Sequence, residues 1–128
     1  MSATLVWQCL KKHNSFLRSG VNGVVFSAEP GNLLNKHSYK YSGLCNTKTV
    51  DISVDAKTDT IKLGLPNRKN ASKPKANNSK FVLKKNARRV LKTVGKQVGS
   101  HRPDLKAAAV ARLAAIHKSL RVKKYGKK

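Results

Sequence analysis

A chain of 128 residues with 28 Lys and Arg against five Asp and Glu carries a formal charge of +23, which points to a polyanionic partner and leaves few carboxylates for paired acid–base chemistry. The length gives one domain's worth of core plus extensions. No run approaches the ~18 apolar residues of a membrane span, the N-terminus lacks the charged start and cleavage site of a secretory signal, and Cys9 and Cys45 read as free thiols.

The charge is uneven. Residues 1–59 hold 7 basic and 4 acidic side chains, net +3, whereas residues 60–128 hold 21 and 1, net +20. Ser2 suits the cap of a short helix from Ala3 to about Lys12, on which Leu5, Val6, Cys9, Leu10 and His13 share one side. Trp7 points away, either to be covered by the neighbouring sheet or to serve as a stacking platform for a base. Cys9 and His13 stand four apart, but only Cys45 and His37 could complete four ligands and no C-x-x-C pair exists, so no metal site is expected.

Residues 15–18 and 24–27 flank Ser19-Gly20-Val21-Asn22-Gly23, whose turn chemistry predicts a β-hairpin. Glu29-Pro30-Gly31-Asn32 turns the chain. Lys36 to Gly43 reads as a strand with His37, Tyr39 and Tyr41 on one face and Lys36 and Lys40 on the other. Aromatics interleaved with lysines suit RNA, which makes Lys36, Lys40 and Tyr41 candidate contacts; the plainer alternative is half-buried tyrosines and solvated lysines. Val50, Ile52 and Val54, then Ile61, Leu63 and Leu65, alternate as a second hairpin. That alternation puts Asp51 and Asp55 outward and Asp59 in the turn, so the three carboxylates do not gather as a magnesium site.

From Pro66 to Lys80 there is no large apolar residue and no acid, but there are five basic residues and four asparagines. Such a stretch cannot bury enough to order itself and is either a plain linker or, as the adjoining basic helices favour, an arm that folds along RNA, with Arg68, Lys69, Lys73 and Lys75 as candidate contacts.

Beyond it, two segments repeat one helical spacing. Leu83, Ala87, Leu91, Val94 and Val98 form an apolar stripe, with Lys84, Lys85, Arg88, Arg89, Lys92 and Lys96 opposite. Leu105, Ala109, Leu113, Ile116 and Leu120 repeat the stripe, with Arg112 at its edge and an Ala-rich flank. Between them Gly99 suits a helix end, and Pro103 and Asp104 the start of the next. Arg121-Val122-Lys123-Lys124-Tyr125-Gly126-Lys127-Lys128 is a basic tail, expected to be disordered alone, with Lys123-Lys124 to Lys128 a weak nuclear-import patch.

The expected architecture is α+β: a platform over 1–65 built from a small antiparallel sheet and a short helix, a basic arm over 66–80, a basic helical hairpin over 81–120, and a tail over 121–128. No P-loop, G-x-G-x-x-G, H-E-x-x-H or nucleophile elbow is present, so no catalysis and no cofactor is expected. Candidate phosphate contacts are Lys84, Lys85, Arg88, Arg89 and Lys92, then Arg102 and Arg112, then Arg121, Lys123 and Lys124. Charge alone equally permits a DNA- or chromatin-binding protein, and the amphipathic segment 81–98 permits a membrane-surface helix. No DNA-reading motif supports the first; Gly95 and the lack of aromatics deep in the stripe oppose the second.

Several segments together resemble one family. They are Asn14-Ser15-Phe16-Leu17, Phe26-Ser27 with Glu29-Pro30 and Asn32-Leu33, Ser38-Tyr39-Lys40-Tyr41-Ser42-Gly43-Leu44, Lys48-Thr49-Val50, Lys85-Asn86-Ala87-Arg88, and Arg102-Pro103-Asp104-Leu105 running on to Ala108-Ala109 and Ala111-Arg112. In this order the sequence resembles the eukaryotic large-subunit ribosomal protein twenty-eight family, of L28e type. The resemblance implies a non-catalytic constituent of the cytosolic large subunit that binds ribosomal RNA beside neighbouring ribosomal proteins, after nucleolar transit during assembly. The short tail after Leu120 and the loop around 56–59 depart from the family pattern.

Overall fold

The apolar positions of the second hairpin and of both basic helices converge on one interior. The computed structural model describes residues 2–66 and 78–126. Strands β3 (Asp51–Val54), β4 (Ile61–Pro66) and β5 (Asn78–Leu83) form an antiparallel sheet in the order β3-β4-β5, with Ile52 opposite Leu63 and Leu63 opposite Phe81. Alternation sends Ile52, Ile61 and Leu63 inward. Helices α2 (Ala87–His101) and α3 (Lys106–Tyr125) contribute Val90, Val94, Val98, Ala109 and Leu113 to the same core, joined by Leu33, Val50 and Leu105. The result is two layers, a helical hairpin on a sheet, of the α+β class.

The N-terminal part is more loosely attached. Helix α1 (Ala3–Leu10) has no fully buried residue, and extended Ser2 makes no side-chain cap. Strands β1 (Leu17–Ser19) and β2 (Val25–Ser27) pair with Leu17 opposite Ser27, and the turn between them places Asn22 and Gly23 at φ 58° and 73°. Trp7 is half-buried. Its ring meets His37 at 5.0 Å and Tyr39 at 6.1 Å between centroids, both from the loop after β2.

Five segments differ from the sequence expectation. Lys36 to Gly43 is not a strand. Lys36 makes a single bridge to Phe26, after which a turn closes through Tyr41 N–H to Ser38 O at 3.2 Å and Ser42 N–H to Ser38 O at 3.0 Å. A buried carboxylate holds this turn: Glu29 accepts from Ser27 Oγ at 2.8 Å, Ser42 Oγ at 2.7 Å and Gly43 N–H at 3.0 Å. Gly43 packs so tightly under Pro30 that a Cβ there would lie 1.8 Å from the Pro30 carbonyl oxygen.

Phe81 to Leu83 belong to β5 rather than to a helix, because their β-prone side chains pair along the edge that β4 would otherwise leave open. Helix α2 therefore starts later, at Ala87, with Asn86 Oδ1 accepting from Arg88 N–H at 3.1 Å. Lys84 and Lys85 fall in the loop before it.

Gly99 does not end α2. The break comes at Arg102 (φ −147°, ψ 93°), where the following Pro103 disfavours helical backbone and opens a 3-10 turn over Pro103–Leu105. Lastly, α3 runs through Arg121 to Tyr125 instead of ending at Leu120, and Lys123 pairs there with Asp59 at 2.6 Å. Of the expected arm, Pro66 lies in β4 and 78–80 in β5, while 67–77 lie outside the described residues, as do 127 and 128 of the tail.

Candidate nucleic-acid interface

Helix α2 folds because Val90, Val94 and Val98 recur at its inner face, and the same period determines where its cations go. Arg88, Arg89, Lys92 and Lys96 are exposed and occupy a sector of roughly 100° centred opposite the buried valines. No acid stands in the helix's first turn. Exposed Lys84 and Lys85 lead into that turn from the β5–α2 loop, so six cations share 13 consecutive positions with no carboxylate among them. The first turn adds its own unpaired N–H groups and the positive end of the helix dipole.

A second helix extends this surface. Lys106, at the start of α3, lies with Lys92 and Lys96 around a hollow floored by Leu91, Gly95 and Val110. Its stem runs over the small surface of α2, with Lys106 Cε 3.8 Å from where a Cβ on Gly95 would be and Cδ 3.6 Å from one on Gly99. The sequence reading missed Lys106; the four-residue spacing of Gly95 and Gly99 in α2 was the available signal that a neighbour approaches closely there.

The other candidates fall into three groups. Lys36 and Lys40 are exposed on the loop after β2; Lys40 Nζ sits 5.5 Å from the Tyr41 ring centroid, and Tyr41 itself is half-buried against the core. Arg121 and Lys124 are exposed on the last turns of α3, whereas Lys123 is engaged with Asp59. Arg68, Lys69, Lys73 and Lys75 lie outside the described residues.

Two arginines are placed differently from the rest. The Arg102 side chain is 15% exposed, and its guanidinium donates to Asp104 through Nε (3.2 Å) and Nη2 (2.6 Å), to Lys48 O through Nη1 (3.1 Å) and to Lys40 O through Nη2 (3.2 Å). It ties the α2–α3 joint to two points of the connection between β2 and β3 instead of standing free. Arg112 is half-buried and lines a hollow with Glu29, Asn32, Asp51 and Ile116, in line with its position at the edge of the apolar stripe.

Local charge shifts the acids in the expected direction. The Arg102 hydrogen bond holds the Asp104 carboxyl below its ordinary range, and the Lys62 hydrogen bond does the same for Asp55. His101 is lowered first by burial and then by the positive charges of Lys48 and Arg102. Among the described residues, no three His, Cys, Asp or Glu side chains are grouped to hold a metal ion, both cysteines are free, and no helix is long and apolar enough to cross a membrane.

Comparison with known proteins gives this surface its setting. The model of the ribosomal L28e protein family matches residues 5–119. The large ribosomal subunit protein eL28 of Dictyostelium discoideum is 38% identical over 127 residues, covering 94% of this chain and 90% of that protein. Its namesake in Schizosaccharomyces pombe is 33% identical over 129 residues, covering 97% and 96%. That of Caenorhabditis elegans is 46% identical over 59 residues, or 44% of this chain and 46% of the relative. The chain therefore belongs to the ribosomal L28e protein family, a family of ribosomal structural proteins and not of enzymes.

Proposed function

We propose that this chain is a structural constituent of the cytosolic large ribosomal subunit that binds ribosomal RNA through the outward cations of α2 and the loop leading into it. One observation carries the reading: α2 opens with Arg88 and Arg89, preceded by Lys84 and Lys85, and has no acid in its first turn. Positive charge at the positive end of a helix costs the isolated protein about 0.3–1 kcal/mol per charge near the terminus. The same arrangement becomes favourable once phosphates occupy it. Lys92, Lys96 and Lys106 continue the track; Lys36, Lys40, Arg121 and Lys124 supply outlying contacts, with Arg68, Lys69, Lys73 and Lys75 of the arm. Arg112 and Lys123 join where the RNA reaches the α3 side, and Arg102 holds the joint between the helices. Neighbouring ribosomal proteins complete the partners, and assembly takes the chain through the nucleolus.

The family relationship and the names of the relatives support the ribosomal half of this reading, and the one-sided charge supports the RNA half. The test is sedimentation of the tagged chain through sucrose gradients of cell lysate, at moderate and high salt, with and without RNase. Co-migration with the large subunit that survives the salt wash and is lost with RNase is the expected result. Migration as free protein, or with chromatin, contradicts it and favours a DNA partner.

A further inference from the structure

Away from the cationic face of α2, a hollow lies between the loop after β2, the first turn of α1 and the joint between α2 and α3. Its lining includes Ala3, Tyr39, Asn46, Lys48, His101 and Arg102. Tyr39 is 40% exposed, yet its ring is braced edge-on by Trp7 at an interplanar angle of 66°. Trp7 is in turn held by His37, whose Nε2 donates to Lys11 O at 2.8 Å. An aromatic face that is open on one side and fixed on the other is a stacking surface.

The polar groups around it are also fixed. Asn46 Nδ2 donates to Tyr39 O at 2.7 Å and to Ser42 O at 2.9 Å. Both amide hydrogens are spent, so the orientation of the amide is set and its Oδ1 remains to accept from a ligand. Lys48 is exposed, and its backbone carbonyl is anchored by Arg102 Nη1. His101 is lowered first by burial and then by the positive charges of Lys48 and Arg102, the two cations that line the hollow. Ala3 adds the first turn of α1, where Ser2 provides no side-chain cap for the N–H groups.

A stacking ring, one oriented acceptor and one free ammonium within a single hollow match the base face, the base edge and the phosphate of a nucleotide. A duplex buries its base faces and cannot use the ring. We propose that this hollow takes one unpaired nucleotide of a single-stranded RNA segment, its base stacked on Tyr39, a base N–H donated to Asn46 Oδ1 and its phosphate held by Lys48. The inference rests on the RNA-binding reading above and adds a second, base-directed site to the phosphate track of α2.

The test uses the full chain with two probes, a single-stranded oligoribonucleotide of six residues and an RNA duplex. Ultraviolet crosslinking of the single strand to the native chain should modify Tyr39. Tyr39→Leu, which keeps apolar bulk and removes the ring, should weaken single-strand binding about tenfold while duplex binding stays within twofold. Lys48→Gln should weaken single-strand binding and flatten its salt dependence. Crosslinks confined to the α2 face, or single-strand affinity unchanged by Tyr39→Leu, overturn the site and leave the phosphate track standing. Absence of binding to either probe overturns the RNA reading itself. Because the crosslink is made on the native chain, it decides the question even if the substitution perturbs the loop.

Discussion

Removing the Glu29 side chain should cost far more than its position in a loop implies. Glu29 is 5% exposed and receives three hydrogen bonds, from Ser27 Oγ, Ser42 Oγ and the Gly43 N–H. Ser27 and Ser42 are themselves 1% and 3% exposed, so neither hydroxyl can turn to bulk water. In Glu29→Ala three donors lose their acceptor, at about 1 kcal/mol or more each for a buried group, giving a loss of roughly 3–5 kcal/mol. That is a large part of the 5–15 kcal/mol typical of a domain. Glu29→Gln is the informative control. Its carbonyl can take the place of Oε2, serving Ser42 and Gly43, while its amide faces a Ser27 hydroxyl free to accept, so about 1 kcal/mol is expected. Urea unfolding of the three proteins, with the slope checked for constancy, measures both differences. A Glu29→Ala midpoint corresponding to less than 1 kcal/mol, or equal losses for the two variants, would refute the view that this carboxylate organises the turn.

Two further substitutions follow from the same interior. Gly43→Ala places a Cβ 1.8 Å from the Pro30 carbonyl oxygen; one backbone segment has to move, and a loss of about 3 kcal/mol or more is expected by thermal or urea denaturation. His101 has a folded-state pKa depressed by burial and by Lys48 and Arg102. Its contribution is fully present above the unfolded value of about 6.5 and is lost as pH falls through that value toward the folded one, because the unfolded chain takes up the proton first. His101→Gln should therefore reduce the slope of stability against pH below about 7, and an unchanged slope in urea titrations would contradict that assignment. Asp104, held low by Arg102, adds its own loss only in more acid solution, below its unfolded value of about 3.9.

Much of this architecture was legible from residue spacing, and the failures have physical causes. The inward faces of α2 and α3 followed from Val94, Val98, Leu105, Ala109 and Leu113, all 3% exposed or less. The second hairpin followed from Ile52, Ile61 and Leu63. Leu83 misled because it satisfies two periods at once, four residues before Ala87 on a helix and two after Phe81 on a strand; pairing with β4, which no local window contains, decides for the strand. His37, Tyr39 and Tyr41 alternate as a strand would, yet the Glu29 contacts to Ser42 and Gly43 span 13 and 14 residues and impose a turn. At the other end, Arg121 to Tyr125 had too little apolar content to predict order. Adding turns to an established helix costs little compared with starting one, and α3 continues although Val122 and Tyr125 are each 65% exposed.

The candidate interface was legible to a similar degree. The α2 cations were readable because the helical period that buries three valines also aligns Arg88, Arg89, Lys92 and Lys96 on the opposite side. Arg102 was readable as a cation but not as a cross-brace, because its acceptors on Lys40 and Lys48 lie 62 and 54 residues away in sequence. Tyr39 and Lys48 emerge as neighbours only when the turn held by Glu29 and the α2–α3 joint are in place.

The most direct test of the phosphate track is the salt dependence of binding to a fragment of large-subunit ribosomal RNA, measured for the native chain and for a variant with Lys84, Lys85, Arg88, Arg89 and Lys92 all replaced by Gln. Each lost phosphate contact should lower the slope of log affinity against log salt by about 0.7–0.9. If all five contact phosphate, the slope falls by roughly 4. A slope that stays the same would contradict the assignment of the α2 face, whatever happens to affinity at a single salt concentration.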